Sequence, residues 1–398
     1  MSLKPPSILA VGLGAILAFS TVAPALGASK KTTTTKKVTP TTTAPVTTAA
    51  PAPTTTVPAP SGVSVAGISA DRCALNKKAG KITYLSGFDY AATASIIEMI
   101  VADAKGYFAK MCLDVDVKAS FSTANYALVA DNKAQFASSG SYTELLKQTP
   151  KERPLVMVYD LGKTAIDGLM VRDDVIKGLR DLRGKVIGVK GDLPPSIAAM
   201  LFKGAGLKRD SDYTTVPVEG FNPVAHFQLP IDALPGFKSN EPGQLDRANV
   251  AYKLFDPTKY DIPGSFGIVY TNAKFLKDNP TAVQDFARAA LRGYADAAAD
   301  PDAATAMAVK LINANGNRNF LSPVGEAYRW KTEIKIVADN TPKGTPIGLI
   351  IPKLLQDQVD DYTAAGVFTT KPAIAGTYDD TLVKGIVDSS NKLIWPTS

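Results

Sequence analysis

The sequence predicts an α/β protein of two lobes joined by a hinge, with a cleft between the lobes. Three observations carry this. From Lys81 onward, short apolar strands alternate with helical stretches, the pattern of a mostly parallel sheet covered by helices. A second set of strands and helices starts near Leu179. Near Gly267 the chain reads as returning to the first set. A chain that leaves one lobe, builds another and returns makes two crossings, and paired crossings form a hinge.

The elements follow in order. Residues 1–28 read as an export signal. Lys4 is the charged start, Ser7 to Ala23 is nearly unbroken and apolar, Pro24 ends the run, and small residues at Ala25 to Ala28 suit cleavage. The alternative is an uncleaved anchor, because about 20 apolar residues just span a bilayer. That form would tether the protein to a membrane surface. Ser29 stands after Leu26-Gly27-Ala28, so no lipid-modified cysteine is expected there. Residues 29–72 are assigned as a linker. Residues 29–62 are mostly Thr, Pro, Ala and Lys, which bury too little surface to offset the entropy of ordering them.

The first part of lobe 1 is assigned to 73–175. It holds strands at Ile82–Ser86, Leu113–Ala119, Ala134–Ala137, Leu155–Val158 and Gly168–Val171. A long helix is expected at Ala91–Lys105 and a short one at Ala124–Asn132. Lobe 2 is assigned to 176–263, with strands at Val186–Val189, Tyr213–Val218, Ala233–Phe237 and Val250–Phe255. Helices are expected from Ser196 to Lys203 and from Pro223 to Phe227, and Ser239-Asn240-Glu241-Pro242 is expected to start another. Residues 264–398 are the return to lobe 1, with helices from Pro280 to Ile312 and Pro352 to Ala365. The crossings are placed near Arg172–Leu179 and Asp261–Ser265.

Composition excludes one class. The chain has 398 residues and a formal charge of +7. Residues 1–70 carry five lysines (Lys4, Lys30, Lys31, Lys36, Lys37) and no Asp, Glu or Arg. The remainder holds 39 basic against 37 acidic side chains. The folded part therefore has no basic surplus to bind nucleic acid. The two cysteines, Cys73 and Cys112, lie in the exported region, ahead of strands expected to be neighbours. A disulfide between them is expected, the alternative being two buried free thiols. The only histidine, His226, is expected on a helix surface or partly buried, with no metal cluster around it.

Ala104-Lys105-Gly106-Tyr107-Phe108 followed by Leu113-Asp114-Val115 resembles the opening of type II periplasmic solute-binding proteins of ABC importers. Leu182 to Val189, Ile231-Asp232-Ala233, and Tyr270-Thr271-Asn272 with Phe275-Leu276 and Pro280 match in the same order. The matching group binds nitrate, sulfonates, thiamine pyrimidine precursors or riboflavin. Ala233 to Pro242, with Ser239-Asn240-Glu241-Pro242 inside it, is similar to the thiamine-precursor and riboflavin branch. The resemblance implies a periplasmic-binding-protein type II fold, an ABC transporter permease as partner, and a planar nitrogen heterocycle as the small-molecule ligand. The alternatives are a sulfonate or nitrate anion, or a surface sensor of the same fold. A monomer without cofactor is expected. Related eukaryotic enzymes use a cysteine-rich motif and a sacrificial histidine. This chain has two cysteines and one histidine, so no enzymatic activity is expected.

In open α/β sheets ligands sit beyond the carboxyl ends of strands. That rule selects Phe88, Asp89 and Tyr90; Ser138, Ser139, Ser141 and Tyr142; Tyr159; Asp192; and Phe237, Asn240 and Glu241. The aromatics offer stacking faces, or else complete the core. The serines can donate to an oxyanion or carbonyl, or simply cap a helix. Asp89 and Asp192 also fit as caps. A Glu241 carboxylate can accept paired hydrogen bonds from an amino-pyrimidine or imide edge, or can stabilise the helix start.

Overall fold

Two five-stranded sheets organise the chain. The computed structural model describes residues 62–317 and 321–396. The expected signal and most of the expected linker lie outside the described residues. Among the described residues no helix is long and apolar enough to cross a membrane.

A small hairpin comes first, β1 (Val63–Ser64) against β2 (Gly67–Ile68). The first large sheet contains β3 (Lys81–Leu85), β4 (Asp114–Lys118), β5 (Phe136–Ser139) and β6 (Leu155–Gly162). The second contains β7 (Asp167–Val171), β8 (Val186–Val189), β9 (Thr214–Pro217), β10 (Ala233–Phe237) and β11 (Lys253–Phe255). The chain then returns as β12 (Phe266–Asn272). The strand orders are β4-β3-β5-β12-β6 and β11-β7-β10-β8-β9. Each sheet has one strand running against the rest, β12 in the first and β7 in the second. These are the strands that directly follow the two crossings.

That topology corrects the first crossing. The strand at Gly168–Val171 is placed by the sequence in lobe 1, with the crossing near Arg172–Leu179. It pairs instead with β10 and β11. The chain therefore changes sheets at 163–166. The second crossing, between β11 and β12, includes Asp261–Ser265 as expected. The crossings touch. A Cβ on Gly264 would lie 2.5 Å from Ala165 Cα and 2.7 Å from Thr164 C. Thr164 and Thr258 share a hydrogen bond at 2.8 Å. The buried Lys163 ammonium sits 3.3 Å from Asp160.

The linker expected to reach residue 72 ends earlier. Helix Ala70–Lys77 is capped by Ser69 and buries Arg72 and Asn76. It is held by polar groups rather than apolar area, so composition gives no sign of it. Arg72 and Asn76 both donate to Asp285. Cys73 and Cys112 form the expected disulfide. The bond closes a loop of 39 residues, worth about 2–4 kcal/mol.

Two helices differ from expectation. The helix expected over Ala91–Lys105 runs only from Ile97 to Ala104. Ser95 has a positive φ of 71°, so 91–96 is irregular. Its amides bond to distant carboxylates, Ala92 to Glu326 and Ala94 to Glu333. Helix Pro323–Asn340 was not anticipated. It buries Glu326, Arg329 and Glu333 beside Trp330 and Val337, and those charges erase the apolar stripe that would announce it.

The core of the first lobe centres on helix Pro280–Ala299, whose Phe286 stacks on Phe136 with ring centroids 3.8 Å apart. Glu98 is wholly buried against it and accepts from the Tyr159 hydroxyl at 2.8 Å. Burial pushes this carboxyl up to about 8, against the hydrogen bonds that favour its charge. The folded state therefore holds a proton that the unfolded chain loses near 4.5. Stability from this group is full below about 4.5 and is lost as pH rises through about 8. Asp160 and Asp167 act lower, since burial pushes each to about 6. The melting temperature is expected to fall between pH 6 and 8.5, and Glu98→Gln to flatten that slope. An unchanged slope in the variant would assign it elsewhere.

Candidate functional site

A cleft of about 280 Å³ opens where the ends of the two sheets face each other. The loop after β3 supplies Phe88, Ala91 and Thr93. The start of β7 supplies Asp167, the loop after β8 Lys190, Asp192 and Pro194, and the loop after β9 Phe221. The end of β10 and the helix start behind it supply Pro235 to Phe237, Asn240 and Glu241. Arg329 reaches in from helix Pro323–Asn340. Register explains one juxtaposition. β7 runs against β10 with Asp167 opposite Phe237, so a strand start and a strand end share the cleft edge.

The aromatic side is open. Phe88 meets Phe221 and Phe121 edge-on, with centroids 5.3 and 5.6 Å apart. Phe221 and Phe237 are both exposed. These rings leave faces for a flat ligand.

The charges are mostly paired. Glu241 folds back over Gly236, where a Cβ would lie 2.8 Å from its Cδ. Its Oε2 accepts the Phe237 N–H at 2.8 Å, and its Oε1 is bonded by Lys190. Burial raises this carboxyl, but the Lys190 ammonium together with backbone N–H donors outweighs burial and holds it below the ordinary value. Asp192 pairs with Arg209 at 2.6 Å. Arg329 pairs with Glu326 at 3.0 Å and donates to Asn240 at 2.8 Å. Asp167 differs: it accepts from Ser196 Oγ at 2.7 Å and makes no ion pair among the described residues. Burial pushes its carboxyl up to about 6, partly offset by Ser196 and then Lys238. A smaller hollow of about 80 Å³ adjoins the cleft through Phe88, Phe221, Asn240 and Arg329, and is walled by Gln244, Arg247, Ser322 and Glu326.

Of the residues selected from sequence, Phe88, Asp192, Phe237, Asn240 and Glu241 line this cleft. The others point elsewhere. Asp89 is buried and accepts from the Tyr90 N–H and from Asn315. Tyr90 turns its hydroxyl toward the Val117 carbonyl. Ser138 and Ser139 are buried in β5, Ser139 bonding Tyr126. Ser141 caps the next helix through the Glu144 N–H. Tyr142 bonds Thr377, and Tyr159 bonds Glu98. His226 is buried, with Nε2 against the Glu219 carbonyl.

Lys190, Asp167, Thr93, Phe221 and Arg329 were missed. Lys190 stands at the end of β8, so the strand-end rule could have found it. Asp167 starts a strand rather than ending one, and Arg329 sits on the unanticipated helix.

Residues 93–304 match the family model described as NMT1/THI5 like. That span includes the cleft residues of the second sheet. The riboflavin-binding protein RibY of Chloroflexus aurantiacus is 28% identical over 220 residues. The match covers 53% of this chain and 61% of that protein, less than two thirds of the relative's length. Among solved structures, the alkanesulfonate-binding protein SsuA from Xanthomonas axonopodis pv. citri, bound to MOPS, has a TM-score of 0.54 at 11% identity. It covers 75% of this chain and 98% of its own. A putative periplasmic sulfonate-binding protein SsuA from Methylobacillus flagellatus has a TM-score of 0.53 at 16% identity, covering 76% and 92%. At such identities the likeness is one of fold.

Proposed function

This chain belongs to the NMT1/THI5-like family, and from that premise we propose that it is the extracytoplasmic solute-binding component of an ABC importer, holding a small planar nitrogen heterocycle of the riboflavin or thiamine-pyrimidine type in its cleft. The ligand is delivered to a permease by opening and closing of the lobes. The observation that carries the ligand class is Asp167, a carboxylate at the edge of an aromatic cleft with no ion pair among the described residues. Such a group accepts hydrogen bonds from ring N–H and amino donors. It repels a sulfonate or nitrate, and the lining cations Lys190 and Arg329 are already paired to Glu241 and Glu326. The name of the Chloroflexus relative supports the heterocycle. An enzymatic reading has little support. The two cysteines are joined to each other, and neither they nor His226 line the cleft.

The test is a thermal-shift and calorimetric panel of riboflavin, a thiamine pyrimidine precursor, an alkanesulfonate and nitrate. A heterocycle is expected to raise the melting temperature and the anions to have no effect. The reverse result would overturn the ligand class. Affinity for the heterocycle is expected to fall as pH drops through about 6, where Asp167 gains its proton. Asp167→Asn should weaken binding about tenfold, the worth of one hydrogen bond to a charged group. It should also remove that pH dependence. Glu241→Gln is expected to weaken binding less, because both Glu241 oxygens already have partners in the protein.

A further inference from the structure

Two consecutive residues of the second lobe meet two residues of the first across the seam beside the cleft. Ser239 and Asn240 follow β10. Arg329 and Glu333 lie four apart on helix Pro323–Asn340, so they share a face. The Ser239 hydroxyl donates to Glu333 Oε1 at 2.8 Å, and Arg329 Nη2 donates to Asn240 Oδ1 at 2.8 Å. Ser239 and Glu333 are both fully buried.

Glu333 also holds the cleft wall of its own lobe. It accepts the Thr93 hydroxyl at 2.7 and 2.8 Å and the Ala94 N–H at 2.7 Å. Thr93 lines the cleft. Glu326, two turns before Glu333, accepts the Ala92 N–H at 2.6 Å and pairs with Arg329. One helix therefore clamps the irregular segment 91–96 with two carboxylates, and the same carboxylate or its neighbouring arginine grips the opposite lobe.

We propose that Ser239, Asn240, Arg329 and Glu333 form a closure latch, in which Glu333 is the positioning residue that ties the Thr93 wall of the cleft to the closed arrangement of the lobes. This rests on the solute-binding reading above. Parting the lobes breaks these two hydrogen bonds, one of them from the charged Arg329 guanidinium, and bonds with a charged partner are the stronger kind. It leaves a buried carboxylate one donor short. A ligand seated against Thr93 and Phe237 holds both ends of the latch in place. The latch thus acts on how long the closed state lasts more than on how fast ligand arrives.

Ser239→Ala is the decisive variant, because it removes the bond from the second lobe to Glu333 and keeps Thr93 and Ala94 on Glu333. With riboflavin as probe, its dissociation rate is expected to rise about tenfold while the association rate stays within about twofold. Small-angle scattering of the ligand-free protein should show a larger radius of gyration. Ser239→Thr, which keeps the hydroxyl, should restore both. A merely structural serine would shift the melting temperature without separating the two rates. Unchanged dissociation and unchanged dimensions in Ser239→Ala overturn the latch. If riboflavin does not bind, the ligand reading fails on its own, and the scattering of Ser239→Ala against Ser239→Thr still decides the latch. If Ser239→Ala does not fold, Asn240→Ala puts the other latch bond to the same scattering test. An unchanged radius there also overturns the proposal.

Discussion

Asp285→Ala is expected to cost about 3–5 kcal/mol of unfolding free energy, the usual consequence of removing one partner from a buried ionic network. Asp285 is fully buried on helix Pro280–Ala299. It accepts Arg72 Nε at 2.7 Å, Arg72 Nη2 at 3.1 Å, Asn76 Nδ2 at 2.7 Å and Arg288 Nε at 3.0 Å. Alanine would leave two buried guanidiniums without their carboxylate. Arg72 would keep its bond to Gln284, and Arg288 its bond to the Ile394 carbonyl, but neither of these partners carries a charge. Helix Ala70–Lys77 should then lose protection from amide exchange before the rest of the lobe. The disulfide still attaches that helix to Cys112, so reduction in the Asp285→Ala background should detach it altogether. Urea unfolding measures the first effect and hydrogen exchange the second. A loss under about 1 kcal/mol would mean that the network holds no more than a surface ion pair.

Gly264→Ala is expected to act on the hinge. The new Cβ would clash with the amide nitrogen and Cα of Ala165 and with Thr164 C. All are backbone atoms, so none can rotate aside. The two crossings must move apart, at about 1–3 kcal/mol by analogy with an overpacked core. Because the crossings set how the sheets face each other, ligand affinity should change along with stability. Gly178→Ala is the control. Apart from its chain neighbours, no atom lies within 4 Å of its Cβ, and its effect should stay within about 0.5 kcal/mol. Equal behaviour of the two variants would show that the crossings tolerate separation and that the hinge lies elsewhere.

Much of the fold is legible in the sequence because its punctuation is strong. β10 matches its expected span residue for residue, and β8 does likewise. Both are short apolar runs bounded by polar or glycine residues. The partner of a strand is less legible. β7 was readable as a strand, yet its neighbours β10 and β11 lie more than 60 residues away along the chain. The candidate site divides in the same way. The strand-end rule found Phe88, Asp192, Phe237, Asn240 and Glu241, which line the cleft. Applied equally to the first sheet, it also took Ser138, Ser139, Tyr142 and Tyr159. There the hydroxyls of Ser139, Tyr142 and Tyr159 turn inward to Tyr126, Thr377 and Glu98.

By itself the sequence determined the alternation of strands and helices, the return of the chain to its first sheet, and the presence of polar and aromatic residues at strand ends. These follow from local periodicity and from turn residues, which act over a few positions. Only the tertiary structure decided where the chain changes sheets, that Glu241 is already paired to Lys190, that Asp167 lines the cleft with no ion pair among the described residues, and that Glu333 reaches Ser239. Each depends on which charge lies beside which. A buried charge is set by partners that can stand 51 or 94 positions away in the chain, and no local pattern records them.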